Sequence, residues 1–187
     1  MRSFPKMHGP CFAAALVIAS GCVAPQPALA KEKATAVARA SAIIVTRLSF
    51  IKTQDLDFGK IVPASTAGTV TVAPDGSRQA TGGVLAAGRT AQPAKFSGFG
   101  SPNQTVVISL SAQTGTLKRQ GGTETMQLDT FIIGSSPQVQ LSTAPLSFRI
   151  ASATGQFAFP VGATLRVGAR QTPGIYTGTF TVVLQYQ

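Results

Sequence analysis

Hydrophobic and polar residues alternate in short runs along most of this chain, with the two-residue period of β-strands. The runs are rich in Thr, Val, Ile and Phe, and clusters of Gly, Pro, Asn and Asp separate them. Outside an Ala-rich start, no stretch keeps the 3.6-residue apolar period of a helix. The pattern predicts an all-β domain, and the regular spacing of the runs predicts an antiparallel β-sandwich. The predicted strands cover residues 44–51, 69–73, 77–81, 94–99, 105–111, 126–133, 146–150, 156–159, 163–167 and 176–186.

The last of these runs is the longest and most regular. Every second position is occupied by Tyr176, Gly178, Phe180, Val182, Leu184 and Tyr186, while Thr and Gln hold most of the positions between them. This alternation predicts one long strand that is apolar on one side and ends at the C-terminus.

A tight turn is predicted between the second and third runs. Pro74-Asp75-Gly76-Ser77 separates two alternating segments there. Because Asp-Gly readily takes the positive φ angles of a type I′ turn, the segment predicts a β-hairpin of that type.

The residues before the first strand also alternate, but with alanine. Ala34, Ala36, Ala38, Ala40 and Ala42 occupy every second position. Alanine packs weakly and favours helix, so residues 31–42 are predicted to form a flexible arm. The β-sandwich is expected to cover residues 43–187.

Residues 1–30 have the pattern of a secretory signal peptide. The segment has a basic start, an apolar run over residues 12–23, and the small-x-small sequence Ala28-Leu29-Ala30. Cleavage is therefore expected between Ala30 and Lys31. The apolar run is shorter than the roughly 20 residues that span a bilayer, so no transmembrane segment is predicted.

A competing interpretation of the leader rests on Ala19-Ser20-Gly21-Cys22, which resembles the lipobox of bacterial lipoproteins. In that case Cys22 would be lipidated and would begin the mature chain. Both interpretations predict an exported protein in the periplasm, on the outer cell surface or in the medium.

Composition narrows the chemistry of the folded part. The chain has 187 residues with two Cys and one His, and all three lie in the first 22 residues. Cleavage would therefore leave a chain without thiol or imidazole. This argues against histidine acid–base catalysis, cysteine nucleophiles and Cys/His metal sites, so we expect neither an enzyme nor a cofactor.

The carboxylates offer one candidate for chemistry. Asp55 and Asp57 would point to one face of an extended strand about 7 Å apart, a spacing also found in glycoside hydrolases. Their sequence neighbourhood holds no further acid and no Trp, so capping of the strand edge or plain exposure to solvent is preferred. Calcium binding by this pair with Asp129 or Glu124 lacks a loop with ligands at defined offsets.

The charge of the chain suggests a different partner. The net charge of +10 becomes +8 after leader removal, from 14 basic and six acidic residues. Apart from Lys118-Arg119, the basic residues are scattered. They predict a solvated surface or, alternatively, a binding surface for an anionic polysaccharide or lipid headgroups. Export and the lack of a basic helix or interleaved aromatic residues argue against nucleic acid.

Several segments of the chain resemble one bacterial protein family. These segments are Leu48–Phe50, Asp55–Ile61, Gly68–Arg78, Val161–Gly168 and Pro173–Phe180. They resemble the family called domain of unknown function 4402. That family is similar in turn to spore coat protein U and to chaperone–usher pilin subunits, which are secreted immunoglobulin-like sandwiches.

The resemblance implies a function for the two chain ends. Tyr186 is the penultimate residue and Gly174 is the fourteenth from the C-terminus, as is typical of pilins. In pilins the last strand borders an open groove, which a chaperone and then the arm of the next subunit fill. The expected groove residues are Gly174, Tyr176, Phe180, Val182, Leu184 and Tyr186, with residues 31–42 as the donated arm.

The expected function is thus an envelope or fimbrial structural subunit, with a periplasmic chaperone, an usher and like subunits as partners. The alternative is a self-complete secreted sandwich that binds an anionic surface polymer without catalysis, lipid-anchored at Cys22.

Overall fold

The computed structural model describes residues 38–88, 91–134 and 137–187. All regular elements in these ranges are β-strands, and every strand pair is antiparallel. We find no helix there that could span a bilayer. The all-β prediction is confirmed. The predicted signal peptide, with Cys22, Ala28 and Ala30, lies outside the described residues, as does most of the predicted arm from Lys31 onward.

A compact unit spans Ala42–Gln187 and contains all the described strands. The strands are β1 (Ser49–Gln54), β2 (Lys60–Val72), β3 (Arg78–Ala87), β4 (Ala94–Phe99), β5 (Thr105–Leu110), β6 (Gly115–Arg119), β7 (Thr125–Ile133), β8 (Val139–Gln140), β9 (Leu146–Arg149), β10 (Gln156–Val167), β11 (Tyr176–Thr177) and β12 (Val182–Tyr186).

The strands form a large and a small sheet. The large sheet has the order β1-β4-β10-β7-β6-β11, with β2 paired to β10, β3 paired to β2, and β8 paired to β7. The small sheet has the order β12-β5-β9. Inward-facing residues of both sheets join one apolar cluster, as in a β-sandwich. Phe148 of β9 illustrates the contact, since its ring centroid lies 5.9 Å from that of Phe157 and 6.4 Å from that of Phe159, both on β10.

Strand β10 is the hub of the large sheet. Its first part pairs with β4, and its second part pairs with both β2 and β7. The sequence predicts two strands here, because Pro160 and Gly162 resemble an interruption. The backbone nevertheless continues through both residues. A Cβ atom on Gly162 would lie 2.2 Å from the Val72 carbonyl oxygen, so glycine allows the neighbouring strand to approach.

The hairpin between β2 and β3 forms as predicted, but the turn type is wrong. Gly76 has a φ of 88°, whereas Asp75 does not have a positive φ. The Gly76 N–H donates to the Ala73 carbonyl (2.9 Å), and the Ala73 N–H donates to the Ser77 carbonyl (2.8 Å). This is a type I turn followed by a left-handed glycine. Pro74 favours it because the ring holds φ near the value required at the first central position.

Other strand limits differ from the prediction. The first strand begins at Ser49 rather than residue 44, and β2 and β3 are much longer than their predicted runs. The sequence did not predict β6 and β8. Strand β6 was missed because Gly115 and the Lys118-Arg119 pair resemble a loop.

The C-terminal run is two strands, so the prediction of a single one is wrong. Tyr176 and Thr177 pair with β6 in the large sheet, whereas Val182–Tyr186 pair with β5 in the small sheet. The chain crosses between the sheets at residues 178–181. Gly178 permits this passage, since a Cβ atom there would lie 2.3 Å from the Thr116 carbonyl oxygen.

Candidate functional site

The outer edge of β12 is the main candidate site. Among the described residues, β12 pairs with β5 alone and is therefore an edge strand. The Gln187 N–H donates to the Thr105 carbonyl (3.2 Å), and the Ser111 N–H donates to the Thr181 carbonyl (3.0 Å). In an antiparallel ladder, alternate residues bond to the same partner. The N–H and C=O groups of Val182, Leu184 and Tyr186 therefore point away from β5.

The side chains of these three residues point toward the core. Val182 is buried and Leu184 and Tyr186 are half-buried, whereas the intervening Val183 is 41% exposed. The predicted alternation is thus correct within β12. The edge combines outward backbone groups with an inward apolar face, as strand addition requires.

Phe180 continues this inward face just before β12 begins. Its ring centroid lies 5.0 Å from that of Phe131 and 6.4 Å from that of Phe96, both in the large sheet. Phe180 therefore anchors the crossing segment between the two sheets.

Strand β1 provides a second edge nearby. It is the terminal strand of the large sheet and pairs with β4. The Phe50 ring of β1 lies 6.0 Å from the Phe96 ring, which in turn contacts Phe180. Phe96 thus joins β1 to the C-terminal segment. We call the outer edges of β1 and β12 together the β1/β12 side.

A hydrogen-bonded cluster joins the start of the compact unit to the end of β12. The Tyr186 hydroxyl accepts a bond from the Ser101 N–H (2.7 Å) and donates one to the Thr46 carbonyl (2.7 Å). The Thr46 N–H donates to the Ser101 hydroxyl oxygen. Ser101 is only 9% exposed, so these bonds satisfy a buried polar residue. The alternation of residues along the chain does not predict this cluster.

Gly100 makes room for the cluster. A Cβ atom at this position would lie 2.9 Å from the Tyr186 hydroxyl oxygen and 2.6 Å from Ile150 Cδ1. Any larger residue would push the tyrosine away. Gly100 is the sequence signal that could have indicated a close approach.

Two of the six predicted groove residues lie elsewhere. Tyr176 pairs with Arg119 on β6. Its hydroxyl donates to the Thr172 carbonyl (2.7 Å) and accepts a bond from Gln171 Nε2 (2.8 Å). Gly174 also lies against the Arg119 side chain. The structure groups Phe180, Val182, Leu184 and Tyr186 and leaves Gly174 and Tyr176 beside β6.

The carboxylates of the described residues have local partners. Asp55 pairs with Lys52, Asp57 accepts from the Gly59 N–H (2.7 Å), Asp75 accepts from the Ser77 N–H (2.8 Å), Glu124 pairs with Arg119 (2.7 Å) and Asp129 pairs with Arg166. Asp57 caps the backbone locally, and both Asp55 and Asp57 are exposed, as the sequence predicts for this pair. In the described ranges, no three His, Cys, Asp or Glu residues come together as metal ligands.

Two of these carboxyl groups have shifted pKa values. The hydrogen bond from Arg119 lowers the pKa of Glu124 to about 2. Hydrogen bonds from Ser77 lower the pKa of Asp75. Both carboxylates are therefore charged at neutral pH and have structural partners.

The comparisons identify a family but no characterised relative. A family model described as a domain of unknown function (DUF4402) matches residues 48–186. No curated protein and no solved structure matches the chain. The matched range contains β1 to β12, so the β1/β12 side belongs to the shared domain and residues 31–42 precede it.

Proposed function

The chain belongs to the DUF4402 family, and on that premise we propose that it is an exported structural subunit of the cell envelope or of a fimbria. In this proposal the sandwich is immunoglobulin-like and pilin-like, and subunits assemble by strand exchange. The outer edge of β12 accepts an extended strand from the next subunit. The observation that carries the proposal is the outward direction of the Val182, Leu184 and Tyr186 backbone groups.

The sequence of β12 supports a role in pairing. Edge strands of soluble proteins are usually protected by charged residues, proline or a bulge, since an open edge can recruit another strand. Strand β12 has the sequence VVLQY, which contains neither a charge nor a proline. This edge therefore lacks the usual protection against strand addition.

The N-terminal arm is the proposed donor. Residues 31–42 span up to about 40 Å when extended, more than twice the roughly 17 Å of a five-residue strand. Ala34, Ala36, Ala38, Ala40 and Ala42 would present small side chains on one face. Such side chains suit an edge where Leu184 and Tyr186 are already half-buried by their own domain.

The position of Thr46 supports this arrangement. Ala42 begins the compact unit, and Thr46, four residues later, is bound to the Tyr186 hydroxyl. The start of the unit is therefore held at the end of the strand that accepts the donor. A chaperone and an usher would protect this edge and direct its pairing before assembly.

Assembly is tested first with the chain spanning residues 31–187. We expect concentration-dependent oligomers by light scattering, and monomers when residues 31–42 are deleted. The deleted chain should bind a fluorescent peptide of residues 31–42, measured by anisotropy. The self-complete sandwich would be favoured instead if the 31–187 chain stayed monomeric and the chain without residues 31–42 did not bind the peptide.

A proline substitution tests the edge itself. Leu184→Pro removes an N–H that points away from β5, so the β5–β12 ladder should remain while strand addition is blocked. Leu184→Ala is the matched control, because it shortens the side chain and keeps the N–H. We expect the Pro variant to be a folded monomer and the Ala variant to assemble. Equal assembly by both would show that the edge is not used.

Export is tested by mass spectrometry of the native protein. The proposal expects an unmodified N-terminus at Lys31, after cleavage behind Ala30. A lipid on Cys22 would instead show a membrane-anchored protein.

A further inference from the structure

A depression of about 460 Å³ lies on the large sheet, and β12 contributes no residue to it. It forms where the β2–β3 turn, residues 91–93 and the end of β1 meet β4 and β10. Its volume is within the range of small-ligand sites, about 300–1,000 Å³. All of its lining residues lie in the described ranges.

The floor of the depression is apolar and rigid. Pro74 and Pro93 are buried, Pro160 is half-buried and the Ala158 methyl group is exposed. A Cβ atom on Gly134 would lie 2.4 Å from Pro160 Cγ and 3.0 Å from Pro74 Cβ, so these rings are closely packed. Proline rings have few internal rotations to lose, so the floor is formed before any ligand binds.

The rim of the depression carries polar groups that can form further hydrogen bonds or ion pairs. Lys95 is exposed, and its ammonium group has no hydrogen-bond or ion-pair partner among the described residues. Gln54 Nε2 donates to the Pro93 carbonyl (2.9 Å), and its Oε1 can accept from a further donor. Asp75 Oδ1 accepts from the Ser77 N–H, and the exposed carboxylate can accept a further hydrogen bond.

These groups define the chemistry of the ligand. Lys95 can pair with an anionic group, and Asp75 and Gln54 Oε1 can accept from hydrogen-bond donors on the same molecule. The half-buried Pro160 ring and the exposed Ala158 methyl group suit an apolar face of the ligand. An inorganic anion supplies only the first of these features. A hexuronic acid residue supplies all three, with its carboxylate, its hydroxyl groups and the carbon–hydrogen face of its ring.

We propose that this depression binds one hexuronic acid residue of an acidic polysaccharide. The sugar carboxylate pairs with Lys95, its hydroxyl groups donate to Asp75 and Gln54, and its ring lies over Ala158 and Pro160. The excess of basic over acidic residues in the chain draws the polymer to the surface by long-range attraction.

The test is a titration of the 31–187 chain with a glucuronic acid trisaccharide, followed by two-dimensional NMR and calorimetry. We expect saturable shifts at the depression and binding at least tenfold weaker for a glucose trisaccharide. Lys95→Gln and Asp75→Asn should each weaken glucuronate binding at least tenfold. Lys118→Gln, which removes an exposed lysine on β6, should leave binding unchanged.

Lys95 and Asp75 are both exposed, so we expect both variants to fold. Thermal melts check this expectation. The proposal would be overturned by equal glucuronate binding of the Lys95→Gln and Lys118→Gln variants, or by chemical shift changes spread over all basic residues. It would also be overturned by full competition from equimolar inorganic phosphate or by the absence of saturable binding. Repeating the titration with the Leu184→Pro chain separates sugar binding from assembly.

Discussion

Tyr176 and Tyr186 lie ten residues apart in the same alternating run, yet their hydroxyl groups have different structural roles. The Tyr176 hydroxyl donates to the carbonyl of Thr172, four residues away. The Tyr186 hydroxyl donates to the carbonyl of Thr46, 140 residues away. The first bond closes a local loop, and the second joins the two ends of the domain.

The strands around the two tyrosines differ in the same way. Strand β11 is a two-residue pairing on β6, whereas β12 is a five-residue strand on β5 with a buried apolar face. Both are edge strands of their sheets, but β12 offers a five-residue edge and β11 only a two-residue one. A regular sequence pattern thus does not ensure a uniform structural role, because the chain passes from one sheet to the other at Phe180 and its neighbours.

The largest expected loss of stability comes from a substitution at Phe180, in the segment that connects β11 to β12. Phe180→Ala removes the ring that contacts Phe96 and Phe131, and it should lower the free energy of unfolding by roughly 2–4 kcal/mol. Urea denaturation measures the change. Phe99→Ala is the control, because Phe99 is 53% exposed. A loss as small as that of Phe99→Ala would show that Phe180 is not the anchor.

Tyr186→Phe tests the long-range bond. It leaves the Ser101 N–H and the Thr46 carbonyl without their partner, and Ser101 is buried. We expect a loss of about 1–3 kcal/mol in the free energy of unfolding. Hydrogen exchange should also become faster at the Ser101 amide. Unchanged exchange there would contradict the proposed link between the chain ends.

Tyr176→Phe is the matching change in the other half. Its partners are the half-buried Gln171 and the exposed Thr172 rather than a buried residue such as Ser101, so water replaces the bonds at small cost. The expected loss is about 0.5–1 kcal/mol, measured by the same denaturation. A loss equal to that of Tyr186→Phe would remove the distinction between a local and a long-range tyrosine.

The smallest effect is expected at the ion pair that flanks β11. The pKa of Glu124 falls from its ordinary 4.5 to about 2 because Arg119 donates to it. Stability from this pair is therefore complete above pH 4.5 and lost as the pH falls through about 2. Glu124→Gln should flatten the stability curve between these values, with little effect below pH 2. The effect is small because the pair lies at the surface.

A steeper loss of stability in Glu124→Gln than in the parent chain between pH 4.5 and 2 would contradict the pairing. Urea midpoints at intervals across this range provide the measurement. Arg119→Gln should give the same flattening, since it removes the donor that lowers the pKa of the carboxyl group.

The strand limits were predicted well where one alternating run of residues forms one strand. Strand β4 begins and ends as predicted at Ala94 and Phe99, and β5 differs from its prediction by one residue. The strand limits were predicted poorly where Gly or Pro lies inside a continuous strand, as at Gly162. The sequence also did not predict where the chain passes from one sheet to the other, at Gly178. These positions depend on a neighbouring backbone that a local pattern does not contain.

The candidate site shows the same division. Alternation alone predicted that Phe180, Val182, Leu184 and Tyr186 share one face, because successive side chains of a strand point to opposite sides. The tertiary structure decided that β12 is an edge, that Tyr176 lies in the other sheet, and that Tyr186 bonds to Thr46. The physical reason is that the two-residue period orients side chains, whereas the hydrogen-bond partner of each strand is chosen by segments far away in the chain.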